Sequence, residues 1–130
     1  MDEQEFKART KKLALRVIRL VEALPQGKAA DVIGRQLLHA ATSVGANYRA
    51  ACRGKSSADV INKLSIVEEE GDECLYWMEL LIEAGLIPEA RLAELMSETN
   101  EIIAMVVASI KTLRAKNLPL SGNPKSKIQN

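Results

Sequence analysis

Residues 36–86 decide the fold, and their sequence is QLLHAATSVGANYRAACRGKSSADVINKLSIVEEEGDECLYWMELLIEAGL. It contains two helical patterns joined by a short turn, Arg53 to Ser57. The first pattern is rich in Ala, Ser and Gly, and small side chains allow another helix backbone to approach closely. We therefore expect this helix to be buried on more than one side. The second pattern carries an acidic cluster and then the only Trp.

Residues on both sides of this stretch add two further helices. Apolar side chains recur at steps of three or four throughout, which is the spacing of one helix face. Pro25 and Gly27 interrupt the pattern before the first helix of the stretch. The pattern predicts helices over residues 2–24, 28 or 29 to 52, 57 or 58 to 84, and from Pro88 in a first turn to about 116.

The helix ends have recognisable signals in the sequence. Ser56 with Asp59 fits the Ser-x-x-acid start of a helix. Gly54 is predicted to end the preceding helix in a left-handed conformation, and Gly85 to end the following one. Short connections and the absence of strand-like alternation predict an all-α fold, an antiparallel up-down-up-down four-helix bundle. We assign residues 1–117 to this domain and 118–130 to a flexible C-terminal tail.

Composition fits one protein domain without disulfides. The chain has 130 residues, 47% of them hydrophobic, and few Gly or Pro. Cys52 and Cys74 form no CxxC pair, so we expect buried thiols in a reducing cytoplasm. The longest strongly apolar run, Ile102 to Ile110, is too short to span a bilayer. These features predict a soluble cytoplasmic protein without membrane attachment.

Charge is distributed unevenly along the chain. Residues 1–65 carry a net charge of +6 and residues 66–130 a net charge of −5. One interpretation is that basic and acidic helix faces complement each other within or between subunits. The other is a basic surface that faces nucleic acid.

The candidate nucleic-acid-binding residues are Arg49, Arg53, Lys55 and Lys63, which flank the turn between the second and third helices. Cations in such a cluster neutralise phosphates without reading base sequence. Tyr48 or Trp77 would stack on a base if exposed, and would otherwise belong to the core. A further set of cations is expected at the opposite end of the bundle: Lys28, Lys111, Arg114 and Lys116.

The sequence gives little support for a catalytic site or a metal-binding site. A di-iron bundle needs a Glu-x-x-His motif on each of two helices, whereas His39 is the only His and no Glu precedes it by three positions. The acidic run from Glu68 to Glu73 points around its helix and cannot converge on one cation. We therefore expect no catalytic residues, no metal, no cofactor and no small-molecule substrate.

One part of the chain resembles a known family. Ala41-Thr42-Ser43-Val44-Gly45-Ala46-Asn47-Tyr48-Arg49-Ala50, then Arg53-Gly54-Lys55-Ser56, is similar to four-helix bundle proteins related to those encoded by intervening sequences in bacterial 23S ribosomal RNA genes. Many members carry Asn-Ile-Ala-Glu-Gly where this chain has residues 47–51, so no role transfers from that Glu.

The resemblance implies an antiparallel four-helix bundle that assembles as a ring-like homopentamer. A related group serves as accessory variability proteins of retroelements, which bind a reverse transcriptase and nucleic acid. From the residues and the resemblance together, we expect a non-enzymatic oligomer that binds RNA or a ribonucleoprotein. The alternative is a protein-binding adaptor or scaffold that binds no nucleic acid.

Overall fold

The structure, a computed structural model, describes residues 2–116, and their regular structure is entirely helical. This confirms the predicted all-α, four-helix class. The predicted tail over 118–130, and with it the domain boundary, lies outside the described residues. The helices are α1 (Glu3–Glu22), α2 (Lys28–Cys52), α3 (Ser57–Glu83) and α4 (Glu89–Lys116).

Side-chain and backbone caps define the helix ends. The Asp2 carboxylate accepts a hydrogen bond from the Gln4 backbone N–H at 2.9 Å and so caps α1. At the end of α3, Gly85 has a φ of +76°. There the Leu86 N–H donates to the Leu81 carbonyl at 2.9 Å, which completes a Schellman motif. Gly85 therefore ends the helix as predicted.

Gly54 behaves differently from the prediction. Positive φ angles among residues 2–116 occur only at Gly27 and Gly85, so Gly54 is not left-handed. A Cβ at Gly54 would instead lie 2.5 Å from Cγ2 of Val60, closer than real Cβ contacts. The residue is needed because α3 folds back tightly over the turn.

Close approaches between neighbouring helices establish the antiparallel arrangement. A Cβ at Gly45 of α2 would lie 3.3 Å from Thr10 Oγ1 of α1. One at Gly71 of α3 would lie 2.7 Å from Ile103 Cγ1 of α4. Helices α2 and α3 pack together most extensively, while α1 lies diagonally across from α3 and α2 from α4. The bundle therefore runs up, down, up and down, with α2 and α4 pointing the same way.

The core is made of interior side chains from all four helices, including Phe6, Leu37, Val67, Met78 and Ile102. Each is at most 1% exposed, which is what stabilises a bundle that has no disulfide or metal within its described residues.

Charged contacts join α1 to α4, and those made by Arg9 are the shortest. Arg9 Nε donates to Glu98 Oε2 at 2.9 Å and Arg9 Nη2 to Glu98 Oε1 at 2.8 Å. Nη2 also donates to Glu101 at 3.0 Å. Bidentate pairs of this kind between Arg and a carboxylate are among the stronger charged hydrogen bonds, and their geometry is specific.

Helix α2 packs against both α1 and α3, so it is buried on two sides as predicted, and only its outer side is open. His39 and Ala46 are exposed, and Ser43 and Ala50 are half-buried. The physical reason is the square arrangement: α2 touches only α1 and α3, through its two flanks. Of its small residues, Ala40 and Ala41 are buried within the chain, while Ala46 faces solvent.

Candidate nucleic-acid interface

The turn between α2 and α3 presents the predicted cations. Arg49, Arg53 and Lys55 are all exposed. Lys63 is half-buried and lies six residues into α3, about 9 Å along the helix axis. The structure therefore brings three of the four predicted residues together at the turn and places Lys63 on the adjoining side of α3.

Local hydrogen bonds hold this turn in shape. Ser56 Oγ accepts from the Asp59 backbone N–H at 3.1 Å, which confirms the predicted helix start. The Asp59 carboxylate accepts in turn from the Lys55 backbone N–H at 3.2 Å. Asp59 is thus occupied with the backbone, and the Lys55 ammonium group remains directed to solvent.

The C-terminal cations of α4 lie at the same end as this turn, not at the opposite end as predicted. Helices α2 and α4 point the same way, so Lys111, Arg114 and Lys116 finish beside the α2–α3 turn. All three are exposed, whereas Lys28 begins α2 at the other end. We call the resulting surface the basic end: Arg49, Arg53, Lys55, Lys63, Lys111, Arg114 and Lys116.

The basic end keeps its positive charge uncompensated by ion pairs. Within residues 2–116 the salt bridges join Lys7 to Glu3, Arg9 to Glu98 and Glu101, and Arg16 to Glu94, and none involves the basic end. The acidic residues at the start of α1, which lies at the same end of the bundle, are partly committed: Asp2 caps its helix and Glu3 binds Lys7 at 3.0 Å.

A groove between α1 and α2 continues this surface along the side of the bundle. It encloses about 480 Å³ and starts at Arg49. Small residues such as Ala8 and Gly45 line it together with the cations Lys7, Lys11 and Arg49. The α1–α2 groove is lined by Gln4, Lys7, Ala8, Thr10, Lys11, Ala14, Thr42, Gly45, Ala46 and Arg49.

The aromatic side chains are not arranged around the basic end as a stacking platform. Tyr48 is half-buried, with its ring edge-on to Phe6 at a centroid distance of 4.6 Å. Burial raises the pKa of its hydroxyl, helped by a hydrogen bond with Cys52. Trp77 is half-buried, and the exposed aromatic is Tyr76, in the C-terminal third of α3. Sequence reasoning missed Tyr76, although its position between acidic residues marks the solvent face of α3.

Titratable groups elsewhere show no catalytic arrangement. Burial raises the pKa of the Cys74 thiol to about 12, with Glu70 and Glu73 adding to the effect, so the thiol stays protonated. His39 is exposed on α2. Within residues 2–116, no three His, Cys, Asp or Glu side chains converge to hold a metal ion.

Membrane insertion is likewise not indicated by the helices. In the part of the chain that the structure describes, no helix combines the length and apolarity needed to cross a bilayer.

Comparisons with known proteins agree with the helical architecture. A family model described as 23S rRNA-intervening sequence protein matches residues 2–108. The chain is also similar to a crystal structure from Bacteroides thetaiotaomicron, a protein of unknown function from the S23 ribosomal protein family. The two share 33% identity with a TM-score of 0.79, over 85% of this chain and 99% of that one. Among curated proteins, none matches this chain.

Proposed function

The chain belongs to the 23S rRNA-intervening sequence protein family, and from that premise we propose that it is a non-enzymatic, self-assembling bundle that binds RNA. The RNA is contacted free or as part of a ribonucleoprotein, through the basic end. The observation that carries the proposal is the meeting of cations from the α2–α3 turn and from the end of α4.

Binding of this kind is directed at the phosphate backbone. Lys and Arg that hold no carboxylate partner release counterions from RNA at little desolvation cost, because they are already exposed. Among residues 2–116 no aromatic platform accompanies the basic end, so base stacking contributes little. We therefore expect weak sequence selectivity and an affinity that falls steeply with salt.

Assembly strengthens such contacts. We propose a ring-like homopentamer, in which cyclic symmetry repeats the basic end around one rim. Repetition on one rim converts several weak phosphate contacts into useful avidity, because each further contact is intramolecular.

The test is a filter-binding titration with single-stranded and structured RNA at several salt concentrations. Replacing Arg53 and Lys55 together by Gln should lower the affinity. It should also reduce the slope of log affinity against log salt by about 1 for each phosphate that is no longer neutralised. A second double variant, Lys111→Gln with Arg114→Gln, should act in the same direction, because α4 ends at the same surface.

The matched control is Lys28→Gln with Arg91→Gln, which removes two exposed cations from the opposite end. It should leave the salt slope unchanged. If wild-type protein retains no RNA at tens of micromolar and low salt, the adaptor interpretation replaces this proposal. If the control variant matches the Arg53/Lys55 variant, RNA is bound but not at the basic end.

A further inference from the structure

The charged residues that line the α1–α2 groove are all cations. Lys7 and Lys11 come from α1 and Arg49 comes from α2, and among the described residues no Asp or Glu lines the groove. Glu3, at the start of α1, holds Lys7 at 3.0 Å. Lys11 and Arg49 make no salt bridge within residues 2–116, so their charges are available to an anion from outside.

These cations form a row that begins at the basic end, to which Arg49 also belongs. Gly45 of α2 packs against Thr10 of α1. Arg49 lies one turn further along α2, and because the two helices are antiparallel it is level with Lys7, near the start of α1. Lys11 follows one turn deeper, about 6 Å along α1. The groove therefore continues the positive charge of the basic end along the side of the bundle.

The size of the groove suits one extended strand of nucleic acid. Its volume is about 480 Å³, and its lining runs along α1 from Gln4 to Ala14, about 15 Å. The axes of two packed helices lie only about 8–10 Å apart, so the groove between them is narrow. A single strand can lie in it with its phosphates along the cations, as in other single-strand sites. A double helix is wider than the groove and touches only its rim.

Small side chains let a strand lie close to both helices. Ala8 on α1 and Ala46 on α2 line the groove, and both are exposed. No aromatic side chain is among the lining residues, so the contacts are to phosphate and sugar and carry little base selectivity. Beyond the far end of the groove the charge is mixed, because the exposed acids Glu22 and Asp31 stand near Arg35. The cationic path therefore stops where the groove stops.

We propose that the α1–α2 groove binds a segment of single-stranded RNA that enters from the basic end, with its phosphates on Arg49, Lys7 and Lys11. The inference rests on RNA binding at the basic end in the proposed function and adds a preference for single strands. Duplex RNA contacts the basic end alone, so a single strand is held by more cations than a duplex of the same length.

Fluorescence-anisotropy titrations with a single-stranded oligouridylate and with an RNA duplex of the same length test this path. Lys11→Gln should weaken binding of the single strand several-fold. It should lower the slope of log affinity against log salt by about 0.7, the share of one phosphate on a single strand. Binding of the duplex should not change.

The matched control is Lys12→Gln, which removes the neighbouring exposed cation. Lys12 points about 100° around α1 from Lys11, and its charge helps to lower the pKa of Glu98 on α4. It therefore lies away from the groove. This control should leave the affinity for both RNAs and both salt slopes as they are in the wild-type protein.

A second pair of variants changes the shape of the groove without changing its charge. Ala8→Gln with Ala46→Gln narrows the groove from both walls and should weaken binding of the single strand alone. Ala93→Gln with Ala104→Gln makes the same change at two exposed positions of α4 and should bind both RNAs like wild type. Helical circular dichroism confirms that each variant is folded.

Equal effects of Lys11→Gln and Lys12→Gln would overturn the groove as the path of the strand. Unchanged single-strand binding by the narrowed variant would overturn it as well. In either case, loss of affinity in the Arg53/Lys55 variant would still support RNA binding at the basic end. A wild-type protein that binds neither RNA would overturn the proposed function together with this inference.

Discussion

At the scale of single residues, Glu70 is an acidic side chain that is partly buried in the bundle. Its Oε1 atom is buried and has no hydrogen-bond partner among residues 2–116. Burial raises the pKa of this carboxyl, Glu73 raises it further, and His39 acts in the opposite direction. The folded chain therefore holds the Glu70 proton more tightly than the unfolded chain does.

The raised pKa of Glu70 makes the free energy of unfolding depend on pH in a definite direction. Because the folded-state pKa is the higher one, the free energy of unfolding falls as pH rises from the unfolded to the folded pKa of Glu70. Glu70→Gln should remove that penalty and raise the free energy of unfolding at pH 7 by up to about 1 kcal/mol. The gain should shrink as the solution is acidified.

Urea unfolding between pH 4 and pH 8 measures this effect. The control is Glu69→Gln, which neutralises an exposed neighbour and should stay within about 0.5 kcal/mol of wild type at every pH. An equal response of the two variants would mean that burial of Glu70 is not the cause.

At the scale of helices, the Arg9–Glu98 pair joins α1 to α4, the two neighbouring helices that pack least extensively. The Arg9 hydrogen bond is the main cause of the lowered pKa of Glu98. A lowered pKa means stabilisation that is present above the unfolded-state pKa and is lost as pH falls through the folded-state pKa. The stabilisation by the Arg9–Glu98 pair is thus lost at low pH, whereas the stability that depends on Glu70 is lost at high pH.

Glu98→Gln should lower the free energy of unfolding at pH 7 by about 1.5 kcal/mol, because it removes the charged partner of the bidentate Arg9 hydrogen bonds. The control is Glu94→Gln on the same helix, whose side chain is 94% exposed and 3.6 Å from Arg16. It should have almost no effect. Chemical denaturation measures the free energy of unfolding of both variants. Equal losses of stability would show that the bidentate geometry of the Arg9–Glu98 pair is unimportant.

The sequence predicts the helices well because their signals are local. Apolar spacing, the Ser56 cap and the Gly85 terminator act within a few residues, and each is confirmed. Gly54 is the exception, because the reason for it, contact with Val60 across the turn, is a property of packing. The position of the α4 cations follows from the predicted up-down-up-down topology, in which α2 and α4 finish at the same end of the bundle, so their expected placement at the opposite end is inconsistent with that topology.

At the scale of the whole molecule, the proposed assembly has a direct measurement. We expect sedimentation equilibrium to give a mass several times that of the 14.2 kDa chain, and five times for the proposed ring. The apolar side chains left exposed on α1, α2 and α3 supply the physical reason, since an exposed apolar surface gains free energy when another copy covers it. A mass of one chain at micromolar protein would contradict the expectation, and a dilution series serves as its internal control.

The diagonal placement of α1 and α3 has a consequence for the history of this sequence among its relatives. Positions such as 19 and 73 have no contact through which one could compensate for the other inside a single chain. If substitutions at these positions change together across relatives, the correlation must pass between copies. A contact map inferred from such correlated substitutions would then contain pairs that no monomer can satisfy, and those pairs would mark a contact between copies.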